Sequence, residues 1–165
     1  GTLCHLYLER IAREGLERWT PERIAAEAAT GQRRLARLGV PAAELAEGWK
    51  TVAAALLGAL AAPRGRWILG AREGAASELE LSGRINDELL HAAIDRTFIA
   101  EGIRWVVDYK IVACQGGSEA FLAGQIERYR PQLVNYVALM AHYDGAHPVR
   151  AALYFPLFDG WRELD

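Results

Sequence analysis

Lysine is nearly absent from this chain. Lys50 and Lys110 are the only two, against 19 basic residues in all, so arginine is the default cation and a lysine at 110 stands out. Cysteine is as scarce. Cys4 and Cys114 cannot supply a four-thiolate metal or iron–sulfur site, and two free thiols point to an intracellular protein. No apolar run reaches the roughly 20 residues that span a bilayer. The nearest, Ala53 to Ala62, is short and alanine-rich. The opening Gly1-Thr2-Leu3-Cys4-His5 reads as a helix start and not as a secretory leader. A basic excess is missing too: the formal net charge is −2, and autonomous nucleic-acid binders usually carry a positive one. No G-x-x-x-x-G-K-[ST] phosphate loop occurs, which excludes a nucleotide-driven motor of that class within these residues.

What is present is enough for one domain with a substantial core: 165 residues, 52% of them hydrophobic. The first part is helical. Apolar residues recur at helical spacing from Leu3 to Trp19. Thr20-Pro21-Glu22 is an N-cap followed by proline at the first helical position, predicting a second helix that runs to Leu38 and stops at Gly39. Pro41 opens a third, with Leu45, Trp49, Val52, Leu56 and Leu60 on one face, ended by Pro63-Arg64-Gly65. The helical segment is thus expected over 1–62, and a sheet core over 66–165.

In that sheet core, Trp67-Ile68-Leu69 reads as a short strand and Gly70 to Ser77 as a mobile loop. Ser77 to Leu81 alternates, Leu89 to Ile99 is a strand, and Glu101-Gly102 turns it back into Ile103 to Val112 as a hairpin. Gln115 to Ser118 reads as a flexible break. Glu119 to Tyr143 is a long helix with Pro131 inside, expected to kink or split it. Val149 to Phe155 is a closing strand that joins the sheet only by a crossover. The order predicts an α/β fold, a mixed sheet covered by helices.

Asp108 and Lys110 lie one pleat apart on a strand and so face the same way. Asp95 sits on the preceding strand at a matching distance from the turn, which brings it towards Asp108. Two carboxylates so placed repel each other unless a divalent cation lies between them, and oxygen ligands suit Mg²⁺ or Mn²⁺. A plainer reading stands beside this one. Asp108 and Lys110 form an ordinary cross-pleat ion pair, and Asp95 pairs with Arg96, Arg104 or another surface arginine.

Several motifs in order resemble the RecB-type branch of the PD-(D/E)XK nucleases. Gly1-Thr2-Leu3-Cys4-His5 is similar to its G-x-x-x-H start, Ile94-Asp95-Arg96 to its first acidic strand, and Val106-Val107-Asp108-Tyr109-Lys110 to its D-Y-K strand. Tyr129-Arg130-Pro131-Gln132-Leu133-Val134-Asn135-Tyr136 resembles the Y-x-x-Q-x-x-x-Y helix that follows. The likeness spans nearly the whole chain as one domain, 1–165, and is greatest to the nuclease domains at the C-terminus of UvrD-like repair helicases, the RecB and AddA type.

The resemblance implies a restriction-endonuclease-like fold and a Mg²⁺- or Mn²⁺-dependent deoxyribonuclease, an exonuclease rather than an endonuclease, acting in recombination or repair. It implies that His5, Asp95, Asp108 and the backbone carbonyl of Tyr109 ligate the metal. Asp95, Asp108 and Lys110 would be catalytic, with Lys110 orienting the attacking water. Gln132 and Tyr136 would contact DNA or brace the site. In-line attack would leave a 5′-phosphate. DNA and an attached or associated helicase motor are the implied partners, and the bacterial cytoplasm, at the nucleoid, the implied location. Glu78 aligns with an acidic position of the family and reads as a surface charge. Ala92-Ala93 stands where glycine is common, and Ile111 where serine or threonine follows the lysine. An alternative reading is a nuclease fold kept to bind DNA or dock a partner without catalysis.

Overall fold

A computed structural model describes residues 1–85, 87–114 and 119–165. The break expected at Gln115 to Ser118 lies outside the described residues. The chain divides into two compact units, one formed by Gly1–Gly70 with Pro156–Asp159, the other by Ala71–Phe155 with Gly160–Asp165.

The first unit is helical. Helix α1 (Thr2–Glu14) buries Leu3, Cys4, Tyr7, Leu8 and Ile11, the stripe read from the sequence. A 3₁₀ turn at Leu16–Arg18 carries the chain to Trp19. The Thr20 hydroxyl accepts the Arg23 N–H at 3.3 Å, capping α2 (Pro21–Ala26) with proline in its first turn. The single helix expected to Leu38 is interrupted at Glu27, and α3 (Ala28–Arg37) follows. Helix α4 (Leu45–Ala61) buries Trp49, Val52, Ala55, Leu56 and Ala59. Tyr7 is the hub, with its ring edge-on to Trp19 at 5.9 Å and to Trp49 at 5.5 Å. Gly31 of α3 leaves room for Trp49, since a Cβ there would meet the indole at 2.1 Å.

Trp67-Ile68-Leu69, expected as a strand, lies in helix α5 (Pro63–Leu69). Three apolar residues carry no period. Pro63 at the first helical position decides the matter, because its fixed φ starts a helix as readily as it ends one.

The second unit is a five-stranded sheet in the order β1-β2-β3-β4-β5. Its strands are β1 (Glu73–Ile85), β2 (Glu88–Ala100), β3 (Ile103–Tyr109), β4 (Val149–Phe155) and β5 (Gly160–Glu163). All neighbours are antiparallel except β3 and β4, which helix α6 (Glu119–Asp144) connects in parallel. With its helical N-terminal segment, this is the α/β, restriction-endonuclease-like arrangement the sequence predicts. Strands β3 and β4 are buried on both faces and read as continuous apolar runs, as parallel neighbours do. Glu101 and Gly102 both take positive φ, 53° and 72°, the two-residue turn that matches hairpin twist.

The stretch Gly70 to Ser77, expected as a loop, enters β1 at Glu73 through a register shift between Glu73 and Ala76. It shows no alternation because Glu73, Gly74 and Ala75 are all exposed. Arg104 holds it instead, donating to the Gly74 carbonyl at 2.7 Å and to Asp144 at 2.5 Å. Pro131 does not split α6. Glu127, whose carbonyl loses its helical donor, is exposed and can be served by water. Strand β5 went unread in the sequence, since four residues after a proline carry too short a pattern. No single helix among the described residues is long and apolar enough to cross a membrane.

Candidate active site

The β2–β3 register pairs Arg96 with Val107, so the next residues outward, Asp95 and Asp108, face each other across the hairpin. Regular pairing stops there. Asp95 Oδ2 then accepts the main-chain N–H of Tyr109 at 2.6 Å, replacing a rung of the ladder with a side chain. On the other side, the Lys110 N–H donates to the Tyr154 carbonyl at 2.9 Å and carries the β3–β4 pairing one residue further. Both neighbours therefore fix the backbone under Asp108-Tyr109-Lys110.

Asp108 and Lys110 share a face, with Lys110 Nζ 2.6 Å from Asp108 Oδ2. Asp108 Oδ2 is buried, and the Lys110 ammonium is the cation set against it. Asp108 Oδ1 accepts from Gln132 Nε2 at 3.3 Å, and the same amide nitrogen donates to the Tyr136 hydroxyl at 2.5 Å. Helix α6 therefore brings Gln132 and Tyr136 to the acid pair, two of the positions singled out in the sequence.

Both acids are buried, Asp95 8% and Asp108 3% exposed. Burial pushes the Asp95 carboxyl up to about 8, helped by the charge of Asp108 and, more weakly, by Glu78. The Tyr109 N–H and Lys110 pull the other way without prevailing. Burial likewise raises Asp108 from its ordinary value, against the pull of Lys110. The Tyr136 phenol is raised by burial and by the nearby acids, and the hydrogen bond from Gln132 offsets only part of this.

Glu78 is a surface charge, as read from the sequence, but a placed one. It falls opposite Asp95 in the β1–β2 register, and their carboxylates approach within 4.8 Å. Its φ is 49°, a left-handed conformation that costs a non-glycine residue about 1–2 kcal/mol. Backbone strain of this kind collects at functional positions. Sequence reading had no means of seeing it, because nothing in Ser77-Glu78-Leu79 marks a positive φ.

Three carboxylates, two of them buried and raised from their ordinary values, face one buried ammonium, so the site is short of positive charge. Lys110 alone does not balance it. A hard divalent cation with oxygen ligands fits this donor set, because it would supply the positive charge the buried carboxylates lack. Two further ligands were expected, His5 and the Tyr109 carbonyl. His5 lies half-buried in α1, in the first unit, and Tyr109 carries the main chain between Asp108 and Lys110.

His91 pairs with Ser82 at 2.8 Å across the hairpin, and Cys4 is fully buried, its thiol pushed up to about 12 by burial. His147 contacts Asp144 at 2.9 Å.

A family model described as the PD-(D/E)XK nuclease superfamily matches residues 1–160. No curated protein matches the chain by sequence.

Proposed function

Since the chain belongs to the PD-(D/E)XK nuclease superfamily, we propose that it is a metal-dependent deoxyribonuclease whose working residues are Asp95, Asp108 and Lys110. The observation that carries this reading is the buried acid pair with Lys110 Nζ 2.6 Å from Asp108. A bound Mg²⁺ or Mn²⁺ would supply charge to the phosphate and lower the pKa of water. Asp95 and Asp108 would hold the cation, with Glu78 as a third carboxylate beside Asp95. The family motif implies His5 and the Tyr109 carbonyl as further ligands. Lys110 orients the attacking water towards the phosphorus, and Gln132 keeps Asp108 in place. Attack in line with the leaving 3′ oxygen leaves a 5′-phosphate and a free 3′-hydroxyl.

The finer assignment is of the RecB and AddA type, an exonuclease of recombination or repair joined to or associated with a helicase motor, working on DNA in the bacterial cytoplasm. Its support is the order of motifs from His5 to Tyr136, together with a net charge of −2, which favours a partner or attached domain to hold the DNA.

The test begins with Mn²⁺ calorimetry on the intact chain and on Asp108→Ala, followed by cleavage of end-labelled linear and of circular duplex. Expected are metal binding lost in Asp108→Ala, and metal-dependent cleavage of the linear form that is lost in Lys110→Ala with the fold retained. Cleavage persisting in either variant would overturn the catalytic assignment. DNA binding without turnover in any divalent metal would favour the non-catalytic reading, which the acidic net charge also motivates.

A further inference from the structure

Tyr129 opens the Y-x-x-Q-x-x-x-Y stretch of α6. Tyr129, Gln132 and Tyr136 stand at i, i+3 and i+7, one stripe of the helix. Gln132 meets Asp108 and Tyr136, as described. Tyr129 meets the lysine: Lys110 Nζ lies 3.7 Å from the centre of its ring. A ring face carries partial negative charge and attracts an ammonium within about 6 Å. The Lys110 side chain is 16% exposed, so little water screens the contact. The Arg128 guanidinium, 5.5 Å from the same ring centre, is near the limit of that range.

Resting on the nuclease reading, we propose that Tyr129 is the positioning residue of Lys110, its ring face holding the ammonium at the site when a divalent cation takes Asp108 from it. The Asp108–Lys110 pair cannot do this alone, because a cation on Asp108 Oδ2 competes for the oxygen the lysine touches. A lysine has a long stem with many rotamers and wanders once its partner is taken. The Tyr129 face is neutral, makes no claim on the metal, and keeps its hold whether Asp108 is free or bound. What it supplies is the face, not the hydroxyl.

The lysine scarcity makes this directly readable. Protein labelled with ¹³C at lysine Cε gives two signals, from exposed Lys50 and from Lys110. The Lys110 ε-methylene is expected upfield of the Lys50 one by ring current, with and without Mg²⁺. It should stay upfield in Tyr129→Phe and collapse onto the Lys50 position in Tyr129→Leu. With saturating Mg²⁺ and linear duplex DNA, Tyr129→Leu should lower kcat about fivefold to tenfold at unchanged KM, and Tyr129→Phe should restore it. Coincident lysine signals in the unmodified chain, a Lys110 signal unmoved in Tyr129→Leu, full kcat in that variant, or a phenylalanine as poor as leucine would each overturn the proposal. If the unmodified chain cleaves no DNA, the nuclease reading fails, and the lysine signals alone still decide whether Tyr129 holds Lys110.

Discussion

Asp95 takes the main-chain N–H of Tyr109 at 2.6 Å, so a carboxylate of one strand completes the ladder of the next, directly beside Asp108. The hydrogen bond fixes the group but does not balance its charge. Burial and Asp108 hold it up to about 8, whereas an unfolded aspartate titrates near 3.9. The folded, metal-free chain therefore binds more protons than the unfolded one between roughly pH 4 and pH 8. Its stability is expected to fall as pH rises through that window.

Asp95→Asn removes the charge and keeps an oxygen for the Tyr109 N–H. In the absence of metal it should raise Tm by several degrees at pH 8 and change little near pH 4. Added Mg²⁺ should stabilise the unmodified chain and leave the variant unmoved. Thermal melts across pH, with EDTA and with Mg²⁺, check this; a variant less stable at pH 8 would mean the acid pair is not a source of strain.

Gln132 divides one amide nitrogen between Asp108 and Tyr136, at 3.3 and 2.5 Å. Groups that orient a metal ligand typically account for about 10–100-fold in affinity or activity. Gln132→Ala should lose that much in Mn²⁺ affinity or in cleavage. Tyr136→Phe keeps the Gln132–Asp108 contact and should lose less. Calorimetry and steady-state rates for both variants decide, and equal losses would place Tyr136, not Gln132, at the centre of the support.

The sequence carried the hairpin and the crossover well, because Asp95, Asp108 and Lys110 sit on strands whose alternation and turn chemistry are local properties. It carried less where long-range partners decide. Glu73 to Ala76 joins β1 only because Arg104, some thirty residues on, reaches the Gly74 carbonyl. Trp67 to Leu69 is helical on the strength of Pro63, a residue equally at home ending the previous helix. Gly31 looks like a weak point in a helix and is instead the space that Trp49 fills. Glu78 aligned with an acidic position of the family and read as a surface charge, and its place opposite Asp95 follows from strand register and a positive φ that no residue type announces.

Arg104 is 8% exposed and binds Asp144 at 2.5 Å, while His147 reaches the other oxygen of that carboxylate at 2.9 Å. His147 first and Arg104 second hold Asp144 well below the usual carboxylate range. A depressed carboxylate contributes stability above its unfolded value, near 3.9, that is lost as pH falls below it. Asp144→Asn should therefore lower Tm at neutral pH, and the two melting curves should converge towards strong acid. A gap that persists unchanged at about pH 2 would assign the effect to packing rather than charge.

Glu78 sets a backbone cost against a carboxylate near the metal site. Glycine takes φ near 49° freely, so Glu78→Gly removes the cost of about 1–2 kcal/mol, less what a more flexible unfolded chain returns. Glu78→Gln keeps the cost and removes only the charge beside Asp95. Both variants should bind Mn²⁺ more weakly than the unmodified chain, by a similar factor. They should part on stability, the glycine variant melting above the glutamine one in the absence of metal. Urea titrations paired with calorimetry separate the two effects. If glycine melts lower than glutamine, the positive φ at 78 carries no strain, and the acid is held there at no cost to the fold.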